Sequence, residues 1–173
     1  DVYKRQQLAL LDTFVKKAEQ VEAQATMAVD PVKHAEAKLY VDLADTYIGM
    51  TAKKSKDIDI LRAAISQNMG FSDEQLEKGR VAVSGELKRY NKLKRRFEVG
   101  QLIRYTGQHP AVEMAMVVDV PSVADHGQNA RGYYGRASKS IRVPVIVDGN
   151  LVFAREAHIH KYTKKELKAL GAI

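Results

Sequence analysis

Lys88-Arg89-Tyr90-Asn91-Lys92-Leu93-Lys94-Arg95-Arg96, followed without a gap by Phe97-Glu98-Val99-Gly100-Gln101-Leu102-Ile103-Arg104-Tyr105, divides this chain in two. In the first segment Val83, Leu87 and Tyr90, extended by Leu93 or Phe97, fall on one side of a helical period, and cations occupy the rest. After Phe97 the helical period gives way to a strand-like pattern. Sequence before the junction reads as helix and most of the sequence after it reads as sheet. The pattern predicts an α+β fold: an N-terminal antiparallel α-helical bundle, a small antiparallel β-barrel and a short C-terminal helix. The expected parts are a helical domain over residues 7–96 ending in a basic helix, a barrel over 97–162 and a helix over 163–173.

The charge follows the same division. Residues 1–77 carry 10 Lys/Arg against 13 Asp/Glu, residues 78–96 carry 8 against 1, and residues 97–173 carry 10 against 7. The excess of 78–96 alone equals the formal net charge of the whole chain, +7. With 173 residues, 45% of them hydrophobic, the chain is long enough to bury a core. It has no cysteine, which excludes disulfides, thiol catalysis and Cys-ligated zinc. No apolar run approaches the roughly 18 residues of a membrane span, so no membrane partner is expected.

Upstream, Leu11, Phe14, Ala18, Val21 and Ala25 recur in alternating steps of 3 and 4, the seam of a helix over 7–27 that pairs with another helix. Asp30-Pro31 supplies an N-cap and a first-turn proline for a second helix over 32–52. The two together predict an antiparallel hairpin. Ser55 is the expected cap of a third helix, with Gly70 as its left-handed end. Ser72-Asp73-Glu74-Gln75 reads as a capping box for a fourth. Gly79 and Gly85 weaken that helix and predict a break near Ser84-Gly85. The turn between the third and fourth helices has the form of a helix-turn-helix, which ordinary bundle packing explains as well.

Downstream, strands are expected over 101–106, 114–120, 140–147 and 151–154, with a short fifth over 159–161. Asp148-Gly149-Asn150 is a three-residue hairpin turn signal. Pro144 predicts an edge position or a bulge. Thr163-Lys164-Lys165-Glu166 is a second capping box, opening a helix that Leu167 and Leu170 would dock.

Three of these pieces, 99–105, 145–153 and 155–162, give the segment 97–162 a pattern that resembles the SH3-like small barrels. Shared features are a Val-Gly-polar start to the first strand, a late Asp-Gly hairpin, and one helical turn before a short last strand. The same pattern is similar to short SH3-like proteins encoded by bacteriophages. The departure is a long insert over 121–139. The resemblance implies a fold whose members bind nucleic acid, peptides or other proteins, and so does not select among them. Separately, Asp1-Val2-Tyr3-Lys4-Arg5-Gln6 resembles the conceptual translation of a transposase adapter used in sequencing libraries. That resemblance implies a metagenomic source and six residues that are not native.

Six cations in the nine residues 88–96 exceed what helix stability calls for. Cations in a last helical turn complement the macrodipole by about 0.3–1 kcal/mol each. Like charges at i, i+4, such as Lys88–Lys92 and Lys92–Arg96, cost about 0.2–0.5 kcal/mol. Either the run is a solvated face, or it pairs with the acidic helices before it, or it faces an anionic partner. Within the insert, Arg131, Tyr133, Tyr134 and Arg136 combine aromatic faces for base stacking with cations for phosphate.

These features predict a non-enzymatic accessory protein that binds nucleic acid, DNA or RNA. Its site residues are Lys88, Arg89, Lys92, Lys94, Arg95, Arg96, Arg131, Tyr133, Tyr134 and Arg136, with no cofactor and no metal. The alternative is a structural or assembly protein, of a bacteriophage, whose N-terminal helices join copies into a homo-oligomer. The expected location is the cytoplasm, that of a bacterial host if phage-encoded. His158 and His160, with Glu156 or His126, lack a defined third ligand and do not amount to a metal motif. There is no phosphate-binding Gly-Lys-Ser/Thr loop and no nucleophile elbow, so no enzyme is expected.

Overall fold

The computed structural model describes residues 2–26, 28–125 and 139–173, without the side chains of 18 and 20–26. The chain forms two compact units, one of Asp1–Val41 with Met50–Ala82, the other of Asp42–Gly49 with Val83–Ile173.

The first unit holds α1 (Val2–Thr26), α2 (Pro31–Ala44) as far as Val41, α3 (Ala52–Ser66) and α4 (Asp73–Ala82). Asp30 opens α2 as expected, its Oδ1 accepting the Val32 N–H at 2.9 Å. Thr51, not Ser55, caps α3: its backbone is extended and its Oγ1 accepts from Lys54 N. At the far end Asn68, with φ 51°, takes the left-handed conformation expected of Gly70. Asn tolerates that region because its short polar side chain bonds locally. The Ser72/Gln75 capping box is present in both directions, at 2.9 and 3.1 Å.

Ile58, Leu61 and Ala64 of α3 are buried, as are Gly79 and Ala82 of α4, at a spacing of three or four that gives each helix an inner face. Ala37, Tyr40, Val41 and Phe71 are buried in the same unit. Phe71 stacks on His34 at 5.1 Å, and His34 Nε2 lies 2.8 Å from the Met69 carbonyl. Along α1, Leu8, Leu10, Leu11, Phe14 and Val15 are 48–70% exposed, so the expected seam is uncovered at its described positions.

The second unit begins with the end of α2. That helix stops at Ala44, short of the expected 52; the next residues turn, with Thr46 Oγ1 bonded to the Leu43 carbonyl at 2.7 Å. After α4 the chain breaks at Val83, and α5 runs Ser84–Arg96. The basic helix therefore groups with the sheet.

Among the described residues six strands follow: β1 (Leu102–Tyr105), β2 (Val112–Val117), β3 (Ser122–Asp125), β4 (Lys139–Val147), β5 (Asn150–Ala154) and β6 (Ile159–Lys161), then α6 (Lys164–Ala169). They make one curled antiparallel sheet. β1 pairs with β2 and β6, and β4 pairs with β2, β3 and β5.

β3, inside the expected insert, continues the pairing of β2 along β4. Val117 faces Val145 and Ser122 faces Arg142, so five steps on one side match three on the other. Pro144 sits at this irregularity, not on an edge. Its carbonyl accepts from Val118 N at 3.0 Å. A strand residue's N–H and C=O point the same way, so the missing N–H faces the bulge and no regular ladder bond is lost. Asp148 (φ 50°) and Gly149 (φ 80°) form the two-residue turn between the paired Val147 and Asn150. Two successive positive φ values match the right-handed twist of the strands they join.

The alternation of β4 puts Ile141, Val143, Val145 and Val147 in the core with Ile103, Tyr105, Val117, Ala154 and Ile159. Each Val or Ile side chain among them contributes about 1.5–3 kcal/mol when fully buried. Thr163 and Glu166 complete the second capping box. In α6 Leu167 is half-buried and Leu170 exposed, so the expected docking rests on Leu167. Among the described residues no helix is long and apolar enough to cross a membrane.

Candidate nucleic-acid interface

The sequence of α5 gives it two faces. Tyr90 and Leu93 are buried on it, and Val83 and Phe97 at its two ends are buried with them. Burial pushes the Tyr90 hydroxyl above its ordinary pKa, and the Asp119 carboxylate adds to the shift. With this face turned inward, Lys88, Arg89, Lys92, Lys94, Arg95 and Arg96 are all exposed. At 3.6 residues per turn Lys88, Lys92 and Arg95 form a stripe. Arg89 and Arg96 lie along one shoulder of it, and Lys94 lies on the far side, next to the apolar face. Glu86 in the first turn and Lys94, Arg95 and Arg96 in the last complement the helix dipole.

Only part of this charge is used within the protein. Arg96 Nη1 pairs with Glu156 Oε1 at 2.7 Å, and its guanidinium lies 5.1 Å from the centre of the Phe97 ring. Lys88, Arg89, Lys92, Lys94 and Arg95 form no ion pair among the described residues. Their like-charge repulsion is met by solvent.

One shoulder of the stripe borders a cavity of about 330 Å³. Arg89, Lys92 and Leu93 of α5 line it with Ser140, Ile141 and Arg142 of β4 and with Arg155 and Glu156, which follow β5. Arg142 is held in place, its Nε donating to Ser140 Oγ at 2.8 Å and its Nη1 to the Phe153 carbonyl at 3.4 Å. Burial lowers its pKa and the neighbouring Arg155 charge lowers it further. Sequence reading missed Arg142 and Arg155. They lie in strand-like sequence well away from the basic run, and only the pairing of β4 and β5 puts them beside α5.

Arg131, Tyr133, Tyr134 and Arg136 lie outside the described residues. Their segment connects Asp125 to Lys139, which face each other at the end of the β3–β4 ladder. Lys139 Nζ also pairs with Asp45 Oδ2 at 3.5 Å.

His158 and His160 do not share a strand face. His158 belongs to a single 3-10 turn, Glu156–His158, and packs edge-on against Tyr105. His160 is in β6, its Nε2 2.9 Å from Thr106 Oγ1. Among the described residues no three His, Asp or Glu side chains gather into a metal-binding group. Glu113 is engaged on both oxygens, by Arg104 Nε at 2.8 Å and by the Tyr162 hydroxyl. That hydroxyl also accepts from Met114 N at 3.2 Å, so the cluster ties β1, β2 and the chain after β6 together. Compared with known proteins, the chain matches no family model, no curated protein and no solved structure.

Proposed function

We propose that this protein is a non-enzymatic accessory factor that binds nucleic acid through the exposed face of α5. The reading rests chiefly on the five cations of that helix that form no ion pair among the described residues, on a helix whose other face is buried. A helix fixed by Tyr90, Leu93 and Phe97 presents its charges without further ordering of the backbone, which lowers the entropic cost of binding. The curled sheet is read as an SH3-like barrel. With β2 and β3 counted as one interrupted strand along β4, β1 to β5 form a meander, β6 returns to β1, and one 3-10 turn precedes it. In this reading Tyr133 and Tyr134 stack on bases and Arg131 and Arg136 contact phosphate. Labelled single-stranded DNA and RNA, titrated with the parent and with the Lys88→Ala/Lys92→Ala/Arg95→Ala/Arg96→Ala variant, test the assignment. The parent binds and the variant loses most of its affinity; equal binding by the two contradicts the site.

A second reading is a structural or assembly protein, of phage origin, that forms homo-oligomers through α1. The exposed Leu11 and Phe14 at heptad spacing favour it. Light scattering on the full chain, and on a chain lacking residues 1–6, decides: a monomer in both contradicts it.

A further inference from the structure

We propose that the cavity lined by Arg89, Lys92, Arg142 and Arg155 seats one phosphate group, with Leu93 and Ile141 as an apolar floor for the sugar or base attached to it. The proposal deepens the nucleic-acid reading and rests on it for the source of that phosphate.

Four cations line this space, and the carboxylate among its lining residues, Glu156, is bonded to Arg96 at 2.7 Å. Gathering like charges around a shared space is unfavourable unless an anion joins them. Arg142 is oriented by Ser140 Oγ and the Phe153 carbonyl, so its planar guanidinium is set before any ligand arrives. A fixed guanidinium beside a second arginine is suited to tetrahedral oxyanions, which accept paired N–H bonds. Burial and the neighbouring Arg155 charge both lower the Arg142 pKa, the direction expected of a guanidinium held beside another cation.

Size and lining narrow the ligand further. About 330 Å³ is far more than one water needs and sits at the lower end of small-molecule sites, about 300–1,000 Å³. Leu93 is 6% and Ile141 9% exposed, and both line the cavity, which gives it an apolar part beside the cationic part. A phosphate carrying a sugar or base matches both parts; inorganic phosphate matches only one. The phosphate belongs either to a strand backbone or to a free nucleotide, and the two are separated by experiment.

The test uses the full chain, a short fluorescein-labelled oligothymidylate followed by anisotropy, and adenosine monophosphate followed by calorimetry. Arg155→Gln changes an exposed residue and leaves the fold in place; Arg142→Gln is read alongside it after far-UV circular dichroism. Lys88→Ala/Arg95→Ala removes charge outside the cavity. The expected result is that each arginine variant weakens oligothymidylate binding about tenfold, or 1.4 kcal/mol. Each also flattens the log–log salt dependence by about 0.7, one phosphate's worth for a single strand.

If Lys88→Ala/Arg95→Ala weakens the oligothymidylate while Arg142→Gln and Arg155→Gln leave affinity and slope unchanged, the cavity proposal is overturned and the nucleic-acid reading stands. If the parent ignores the oligothymidylate but binds the monophosphate, and Arg155→Gln loses it, the cavity is a free-nucleotide site and the nucleic-acid reading falls. If neither probe depends on Arg142 or Arg155, the cavity holds no phosphate.

Discussion

Gly79 and Gly85 lie in successive helices, and the structure predicts opposite outcomes for the same substitution. A Cβ at Gly79 would meet Leu61 Cδ1 at 2.3 Å and Cγ at 3.4 Å, with the Tyr40 ring at 3.9 Å. Leu61 is 0% exposed, so its methyl has no solvent to move into. Overpacking of this kind costs about 1–3 kcal/mol. Alanine regains about 1 kcal/mol of helix propensity over glycine. Gly79→Ala therefore destabilises by a net amount of up to about 2 kcal/mol. A Cβ at Gly85 meets nothing within 4 Å, so Gly85→Ala keeps only the gain, which at the second residue of α5 is at most the roughly 0.5–1 kcal/mol of a mid-helix site.

Urea unfolding followed at the helical band measures both. With a slope of about 1–3 kcal/mol per molar urea, the two midpoints move in opposite directions by a few tenths of a molar or more. Leu61→Ala removes the obstacle, so in that background Gly79→Ala becomes stabilising. The cycle isolates the contact from the propensity. If Gly79→Ala alone raises the midpoint as much as Gly85→Ala does, the α3–α4 packing described above is wrong.

Further outcomes follow from the sheet unit. The Tyr162 hydroxyl bond, and then Arg104, hold the Glu113 carboxyl below its ordinary pKa of 4.5. Its stabilisation is therefore present above pH 4.5 and lost as the pH falls through the lower folded-state value. Melting temperatures of the parent and Glu113→Gln differ at neutral pH and converge in acid; a difference that does not shrink as the pH falls below 4.5 contradicts the linkage. Gly149→Ala forces a Cβ into a left-handed turn at φ 80° and costs about 1–2 kcal/mol in urea unfolding, despite open space around it. No change in midpoint contradicts the turn assignment. Thr163→Ala removes the cap of α6, worth about 1 kcal/mol, and hydrogen exchange reports it as faster exchange in 164–169 alone. Unchanged exchange there means the cap is not formed.

Features carried by adjacent residues were legible in the sequence. Both capping boxes, the Asp148-Gly149 hairpin, the break between α4 and α5 and the change of period at Phe97 depend on spacings of a few residues. Features decided by distant partners were not. α2 was expected to reach 52, but it stops at Ala44, where Asp45 pairs with the distant Lys139 and Thr46 Oγ1 bonds the Leu43 carbonyl. β3 was hidden in an insert because Ser122–Asp125 has a clear strand identity only opposite Lys139–Arg142. Ser55 and Gly70 are sound capping residues, and Thr51 and Asn68 stood close enough to take their places. The basic run was read correctly as a charged helix. Its partners across the cavity, Arg142 and Arg155, come from sequence that patterning assigns to strands and their ends. No local signal marks them as binding residues.

The central claim is that α5 carries its charge for a phosphate backbone. The affinity of the full chain for a labelled single strand, measured across a series of salt concentrations, tests it most directly. The account predicts a linear fall of log affinity with log salt at about −0.7 per phosphate contacted, and a slope shallower by about two to three in the Lys88→Ala/Lys92→Ala/Arg95→Ala/Arg96→Ala variant, Arg96 contributing least because Glu156 holds it. Binding that is absent, or that keeps the same slope in the variant, contradicts it.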